Sequence, residues 1–305
     1  MFIDPRHLEQ LSVIVTSGTL REAARQLGTS QPALSRMISN LEARAEMLLF
    51  ERTSRPLKPT ALGAELANQG RAIRTARLRA AEMVDFGTRG IFGVLKIGAP
   101  PFLCERLVSE AIASFILERP EIRIDLVPDY LVGLHERIFQ NQIDIIIGPA
   151  KFVESGNPRF FLEPLFADAN VIVCSASHRL IGKPKVSVAD LADAKWIGHS
   201  DRSLLRYDME EVLTMMGVRN LRLAFQSESA GAVIELLRST DCLTILPRYA
   251  VRANAHDGLA IIQTTLPARE QVVSMITLAD REQSKLTTDF KSHLRNYVST
   301  RFQSA

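Results

Sequence analysis

Between Leu20 and Leu41 apolar residues fall into two short stripes of helical spacing, separated by a glycine. In the first stripe Leu20, Ala23, Ala24 and Leu27 share a face, and its alanines let a second helix approach closely. Thr19 and Glu22 make the S/T-x-x-E pattern of a capping box, which predicts a helix from Leu20. Gly28 stands where a helix end favours a left-handed residue. Ser30 is a natural N-cap, and Pro32 suits a first turn whose amides lack partners anyway. The second helix carries Leu34, Ile38 and Leu41 at i, i+4 and i+7 for burial. Leu8, Leu11 and Val15 mark an earlier helix that could cover the pair.

Two short helices joined by a glycine-containing turn, about residues 20–39, make a helix-turn-helix. Such a motif lays its second helix in the DNA major groove. The outer face of that helix carries Ser30, Gln31, Pro32, Ser35, Arg36 and Ser39. Gln31 can offer its amide to adenine, Arg36 its guanidinium to guanine or phosphate, and the serine hydroxyls reach phosphates. An αα-hairpin that merely packs would show the same spacing. The stretch "LLFERTSRPLKPT", residues 48–60, weighs against it: apolar ends flank a turn with Arg52, Arg55 and Lys58, which reads as a basic hairpin wing.

From Thr60 to about Thr88 no proline occurs, and glycine stands at Gly63, Gly70 and, next to the end, Gly87. Leu62, Leu66, Gln69, Ile73, Ala76, Ala80 and Met83 form a seam like that of a coiled coil, predicting a long helix that seeks a partner. The alternative is packing on its own chain. From Gly93 the period changes. "GVLKIGA", "EIRIDLVP", "QIDIIIG", "NVIVCSA", "KWIGHS", "LRLAFQS" and "CLTILP" read as buried strands, alternating with helical segments such as "CERLVSEAIASFILERP", "LVGLHERIFQN", "RSLLRYDMEEVLTMMG" and "SAGAVIELLRST". That alternation predicts βαβ units and a parallel sheet, an α/β body. "LAIIQ" and "QVVSMITLA" follow as strands, and a last helix runs from about Gln283 to Phe302.

Charge sharpens the picture. Residues 1–90 hold 13 Lys+Arg against 9 Asp+Glu, and the remainder 24 against 25. A basic head on a near-neutral body fits an acidic polymer as partner of the head. Cys104, Cys174 and Cys242 are far apart and form no metal-ligand or disulfide pattern, so no metal and no cofactor is expected. With no long uncharged apolar run and no signal-like N-terminal segment, neither a membrane partner nor export is expected, and the protein is placed in the cytoplasm.

The segment "LREAARQLGTSQPALSRMISNLEARAEMLLFERTSRPLKPTALG" resembles the winged helix-turn-helix of LysR-type transcriptional regulators. The Ala-Ala pair, Ser-Gln-Pro-Ala-Leu-Ser, Leu-Glu, Leu-Phe-Glu-Arg and the closing Thr-x-x-Gly stand in the family's order. One departure is "ARAEMLLF": the family's usual glycine is replaced by Ala45 or Glu46, which predicts a differently shaped turn. The second half resembles that family's effector-binding domain, itself similar to periplasmic binding proteins, through "GVLKIGA", "IDIIIG", "ADLADAKWI" and "CLTILP".

The resemblance implies a DNA-binding domain over residues 1–63, a linker helix over 64–90 and an effector-binding domain over 91–305. One lobe would take residues 93–164 and 267–305, the other 165–266. It implies linker helices paired between subunits, a dimer of dimers, operator DNA and RNA polymerase as partners, and a small effector between the lobes. Ligands of open α/β sheets bind beyond the carboxyl ends of strands. The implied effector residues are therefore Pro100, Pro101, Phe102, Gly148, Pro149, His199, Ser200, Arg202, Ser227 and Ser229. The family often has Ser or Thr where this chain has Pro100-Pro101, and prolines donate no backbone hydrogen bond. A carboxylate and a sugar both remain open as effector. "GHSD" sets His, Ser and Asp side by side, but a catalytic triad is assembled from separate elements, and no nucleophile-elbow or phosphate-loop motif occurs. An enzyme is not expected. A ligand-independent architectural DNA protein is the other reading, and it would show a basic surface throughout.

Overall fold

The structure, a computed structural model, describes residues 3–51, 56–88, 93–153, 156–184, 186–218, 221–253, 258–264 and 270–302. The chain divides into two compact units, one comprising Met1–Gly90 with Phe139–Gln142 and the other the remainder.

In the first unit, α1 (Pro5–Ser17) starts at Asp4, whose side chain accepts from the Arg6 amide, and ends at left-handed Gly18. Helix α2 (Leu20–Leu27) is capped by Thr19, which accepts from the Glu22 amide at 3.3 Å. The carboxylate of Glu22 is held by Arg25 and Gln26. Gly28 closes α2 at φ 61°, and Ser30 caps α3 (Gln31–Ala45) by accepting from Ala33. Leu34, Met37, Ile38 and Leu41 are buried against Leu11, Ile14, Ala23 and Ala24 in one apolar core.

The turn after α3 departs from its predicted shape. Glu46 itself adopts the left-handed conformation, φ 54°, and its amide bonds back to Glu42. The turn is thus that of a glycine made with a glutamate, held because the Glu42 carboxylate also accepts the amides of Leu49 and Phe50. Phe50 then bridges Pro59, and the Glu51 amide donates to Lys58 O at 3.0 Å, forming the base of the wing. Arg52 and Arg55 lie outside the described residues.

Helix α4 (Ala61–Thr88) follows Thr60, whose hydroxyl accepts from the Gly63 amide. Its first half packs on its own unit. Gly63, Ala67 and Gly70, at i, i+4 and i+7, are buried, and Leu62 and Leu66 join the same apolar core. This part of the seam therefore serves the chain's own packing, because glycine and alanine let the helix lie on the backbone of Leu49 and Leu8. Ile73 is half-buried, Gln69, Ala76 and Ala80 are exposed, and the side chain of Met83 lies outside the described residues.

The second unit contains one path of hydrogen-bonded strands in the order β2-β1-β3-β9-β4-β7-β5-β6. These are β1 (Gly93–Ala99), β2 (Ile122–Pro128), β3 (Ile145–Pro149), β4 (Phe160–Ser175), β5 (Lys195–His199), β6 (Arg222–Ser227), β7 (Cys242–Pro247), β8 (Leu259–Ile261) and β9 (Glu270–Leu278). The expected parallel sheet is a mixed one. β1 runs parallel to β2 and β3, and β5 to β6 and β7, but β9 is antiparallel to β3 and β4, and β4 to β7 and β8. The reason is connectivity: β4 and β9 carry the chain between the two lobes, and β4 changes neighbour from β9 at Ala169 to β7 at Asn170.

Helix α5 (Pro101–Leu103) continues through a π-helical turn, Cys104–Val108, into α6 (Ser109–Glu118). With α7 (Leu131–Phe139) and the last helix, α12 (Lys285–Phe302), it covers the first lobe. The second lobe has α8 (Val188–Ala192), α9 (Leu204–Met215), α10 (Ala230–Ser239) and α11 (Arg248–Ala253), with a core of its own around fully buried Trp196.

Candidate functional site

The first candidate surface lies on α3. Gln31, Pro32, Ser35, Arg36 and Ser39 are all exposed, while Leu34, Met37, Ile38 and Leu41 between them are buried. Positions 32, 35, 36 and 39 share one helical face, turned from the core by the same spacing that buries the other. That face offers hydroxyl, amide and guanidinium groups with little bulk. Ser30 is exposed too, with its hydroxyl oxygen accepting the capping bond from Ala33. Lys58 stands at the base of the wing, exposed.

The second candidate site is the crevice between the lobes. An inner cavity of about 50 Å³ is walled by apolar side chains, among them Phe102, Leu131, Phe152, Leu204, Tyr249 and Val273. A volume of that size holds a few waters. Its polar corner is one connected network. Lys151, just after β3, places its ammonium 2.8 and 2.6 Å from the two carboxylate oxygens of Asp208 on α9. Asn170 on β4 donates to Asp208 Oδ2 at 2.6 Å, and Gln271 on β9 donates to Asn170 Oδ1 at 3.2 Å.

Wider crevices open on either side, about 550 Å³ beside Pro101 and Tyr130 and about 380 Å³ beyond the Lys151–Asp208 pair. The first is spanned by Arg202, which reaches Asp129 of the opposite lobe at 2.8 Å. Arg137 holds the other oxygen of Asp129 at 3.1 Å. Ser200 donates to Glu228 Oε1 at 2.7 Å, and the Tyr130 hydroxyl donates to Glu228 O at 3.3 Å.

Of the residues picked out in the sequence, Pro100, Pro101, Phe102 and Pro149 line the inner cavity, and Pro101, Arg202 and Ser229 line the wider crevice. Gly148 is buried behind them, against Phe152 and Pro100, where a side chain would crowd the wall. His199 is only 2% exposed. Its Nε2 lies 2.7 Å from Ile245 O and its ring meets Phe102 edge-on at 5.8 Å, so it shapes the wall from behind. Burial, with a smaller contribution from the Arg206 charge, holds its pKa down at about 4. Ser200, Ser227 and Ser229 have their side chains engaged in the local turn and cap, with Ser227 accepting from Ser229 N and Ser229 from Ala232 N.

Lys151, Asn170, Asp208 and Gln271 were not picked out. Only Asn170 carried a signal, as a polar residue opening the apolar run "NVIVCS". The others meet through β3, α9 and β9, three elements far apart in the chain.

Comparison with known proteins gives this architecture relatives. Residues 5–64 match the bacterial regulatory helix-turn-helix protein, lysR family, and residues 88–299 match the LysR substrate binding domain. The chain is 25% identical over 293 residues to the transcriptional activator protein LysR of Escherichia coli, covering 96% of this chain and 93% of that one. It is 28% identical over 259 residues to the regulator GbpR of Azospirillum brasilense, covering 84% and 75% respectively. Among solved structures, full-length CbnR complexed with its target DNA shares the fold with a TM-score of 0.63, at 19% identity, over 97% of this chain and 100% of that chain.

Proposed function

The chain belongs to the LysR family of transcriptional regulators, with a helix-turn-helix DNA-binding part and a substrate-binding part, and we propose how its own residues divide that work. Helix α3 reads base edges through Gln31, Ser35 and Arg36, with Ser30, Pro32 and Ser39 at the groove walls. Arg52, Arg55 and Lys58 follow the phosphate backbone. The exposed polar face of α3, set opposite its buried leucine stripe, carries this reading.

Two chains pair through the second half of α4, where Leu78 is 55% and Val84 72% exposed within the single chain. A twofold protein suits a palindromic site. The edge strand β6, with Leu223 and Phe225 exposed, supports a second contact that joins dimers into tetramers. A small effector enters the interlobe crevice and acts on transcription, with RNA polymerase as the final partner, in the cytoplasm and without catalysis. It shifts the assembly only by its differential affinity for the arrangements of the lobes. The small inner cavity and the ion pairs Arg202–Asp129 and Lys151–Asp208 between the lobes support a closed arrangement that an effector must open.

Footprinting of the purified protein on the DNA flanking its gene, with and without a panel of small carboxylates, amines and sugars, tests this. A long twofold footprint that shortens or shifts with one compound is expected. Protection that no compound changes would overturn the effector part and favour the ligand-independent reading.

A further inference from the structure

The hydrogen-bond directions in the polar corner are fixed by chemistry. An ionised Asp208 only accepts, so the Asn170 atom facing it is the amide nitrogen. The other end of Asn170 is then its oxygen, which fixes the nitrogen of Gln271 toward it. What remains is Gln271 Oε1, buried and with no hydrogen-bond partner among the described residues. A buried carbonyl oxygen left unpaired is a place that wants a donor. Gln271 belongs to the wall shared by the inner cavity and the crevice beside it.

The groups that would hold an anion are already committed. Lys151 is held by Asp208 and Arg202 by Asp129. Pro100 and Pro101 bring no amide donors. His199 is buried and neutral. In the outer crevices the described lining residues include Glu105, Asp129 and Glu228 against Arg202, and Asp208, Glu211 and Glu270 against Lys151. A sugar would find few partners for its hydroxyls on the mainly apolar inner walls.

We infer that the effector of this regulator carries an N–H donor head, a primary amide or an ammonium, on a compact apolar body, with the head on Gln271 Oε1 and, for an ammonium, on Asp208 as well. This rests on the interlobe site proposed above. An ammonium head competes with Lys151 for Asp208 and so loosens an ion pair that bridges the lobes. An amide head donates to Gln271 and leaves Lys151 in place. The apolar body supplies the driving force by replacing water against the phenylalanine and leucine walls.

The test uses the full chain and three probes of one body: 2-phenylethylamine, phenylacetamide and phenylacetate, measured by calorimetry and by the shift in thermal unfolding. The amine and the amide are expected to bind about tenfold more tightly than phenylacetate, the worth of one charge-assisted or buried hydrogen bond. Gln271→Leu should lose that advantage for both. Asp208→Asn should weaken the amine and spare the amide. Tighter binding of phenylacetate, or no binding of either nitrogen probe at millimolar concentration, would overturn the head-group assignment.

Leu131→Trp and Leu204→Trp, which fill the inner cavity, separate this failure from failure of the site. If phenylacetate binds best and either filler abolishes it, the site stands and the head group is wrong. If probes bind equally well to both fillers, the interlobe site itself is wrong.

Discussion

Gly70 of α4 lies flat against the backbone of Leu8 in α1, and a β-carbon added there would overlap the Leu8 carbonyl oxygen. Helix propensity alone ranks alanine about 1 kcal/mol above glycine in a helix interior. The contact reverses that order. Gly70→Ala should destabilise the N-terminal unit by about 1–3 kcal/mol, the usual cost of overpacking. Urea unfolding followed by circular dichroism reads the sign. A stabilised variant would show that α4 does not seat on α1 as described.

Glu46 gives the opposite expectation. It holds φ 54° behind α3, a conformation that costs a residue with a β-carbon about 1–2 kcal/mol and glycine little. Glu46→Gly should raise stability by roughly 0.5–1 kcal/mol after the greater freedom of glycine in the unfolded chain is counted. The expected result is a higher unfolding temperature with unchanged DNA affinity, since the substitution keeps the turn it already makes.

Asp168 and His199 titrate against each other. Asp168 is buried, with Oδ1 accepting the Tyr249 amide and Oδ2 without a partner among the described residues; burial lifts its pKa from 3.8 to about 6. Burial lowers that of His199 from 6.5 to about 4. Between pH 6 and 4 the unfolded chain holds a proton on His199 that the native one lacks, so acid destabilises. The native chain holds a proton on Asp168 that the unfolded one lacks, so acid stabilises. The two slopes nearly cancel. Asp168→Asn removes one of them, and stability relative to the parent should then fall by up to about 1.4 kcal/mol per pH unit from pH 6 toward 4. Parallel unfolding curves at several pH values check it, and an unchanged difference between the two proteins across that range refutes it.

On DNA, Arg36→Ala should cost about 1–3 kcal/mol at the operator and relax its sequence preference, as expected for a base contact. Lys58→Ala should weaken all sequences alike and reduce the salt slope by about one, the sign of a lost phosphate contact. Fluorescence anisotropy on the operator and on a scrambled duplex distinguishes the two. Equal operator affinity of Arg36→Ala and parent would remove Arg36 from the recognition surface.

The N-terminal unit was legible in the sequence because its signals are local. Thr19, Gly28, Ser30 and Pro32 act within a turn or two, and the same spacing that buries Leu34 and Ile38 turns Ser35 and Arg36 outward. What escaped there was a contact between elements. Leu62 and Leu66 read as part of a seam awaiting another subunit, yet they join the chain's own apolar core, beside Gly63 and Gly70 seated on the backbone of Leu49 and Leu8.

In the second unit the residues of the sequence pattern and those of the polar corner part company. Pro100, Phe102 and Pro149 follow strand ends, where the fold rule places ligands, and they do line the cavity. His199 obeys the same rule, but its ring turns back to Ile245.

The sequence by itself determined the order of helices and strands, the caps and the two faces of α3. These depend on residues within a few positions of each other. Only the tertiary structure decided the mixed direction of the sheet, the inward seating of α4 and the Lys151–Asp208–Asn170–Gln271 network. Each is set by elements that are distant in the chain and meet in space, and no local periodicity encodes which buried oxygen will be left without a donor.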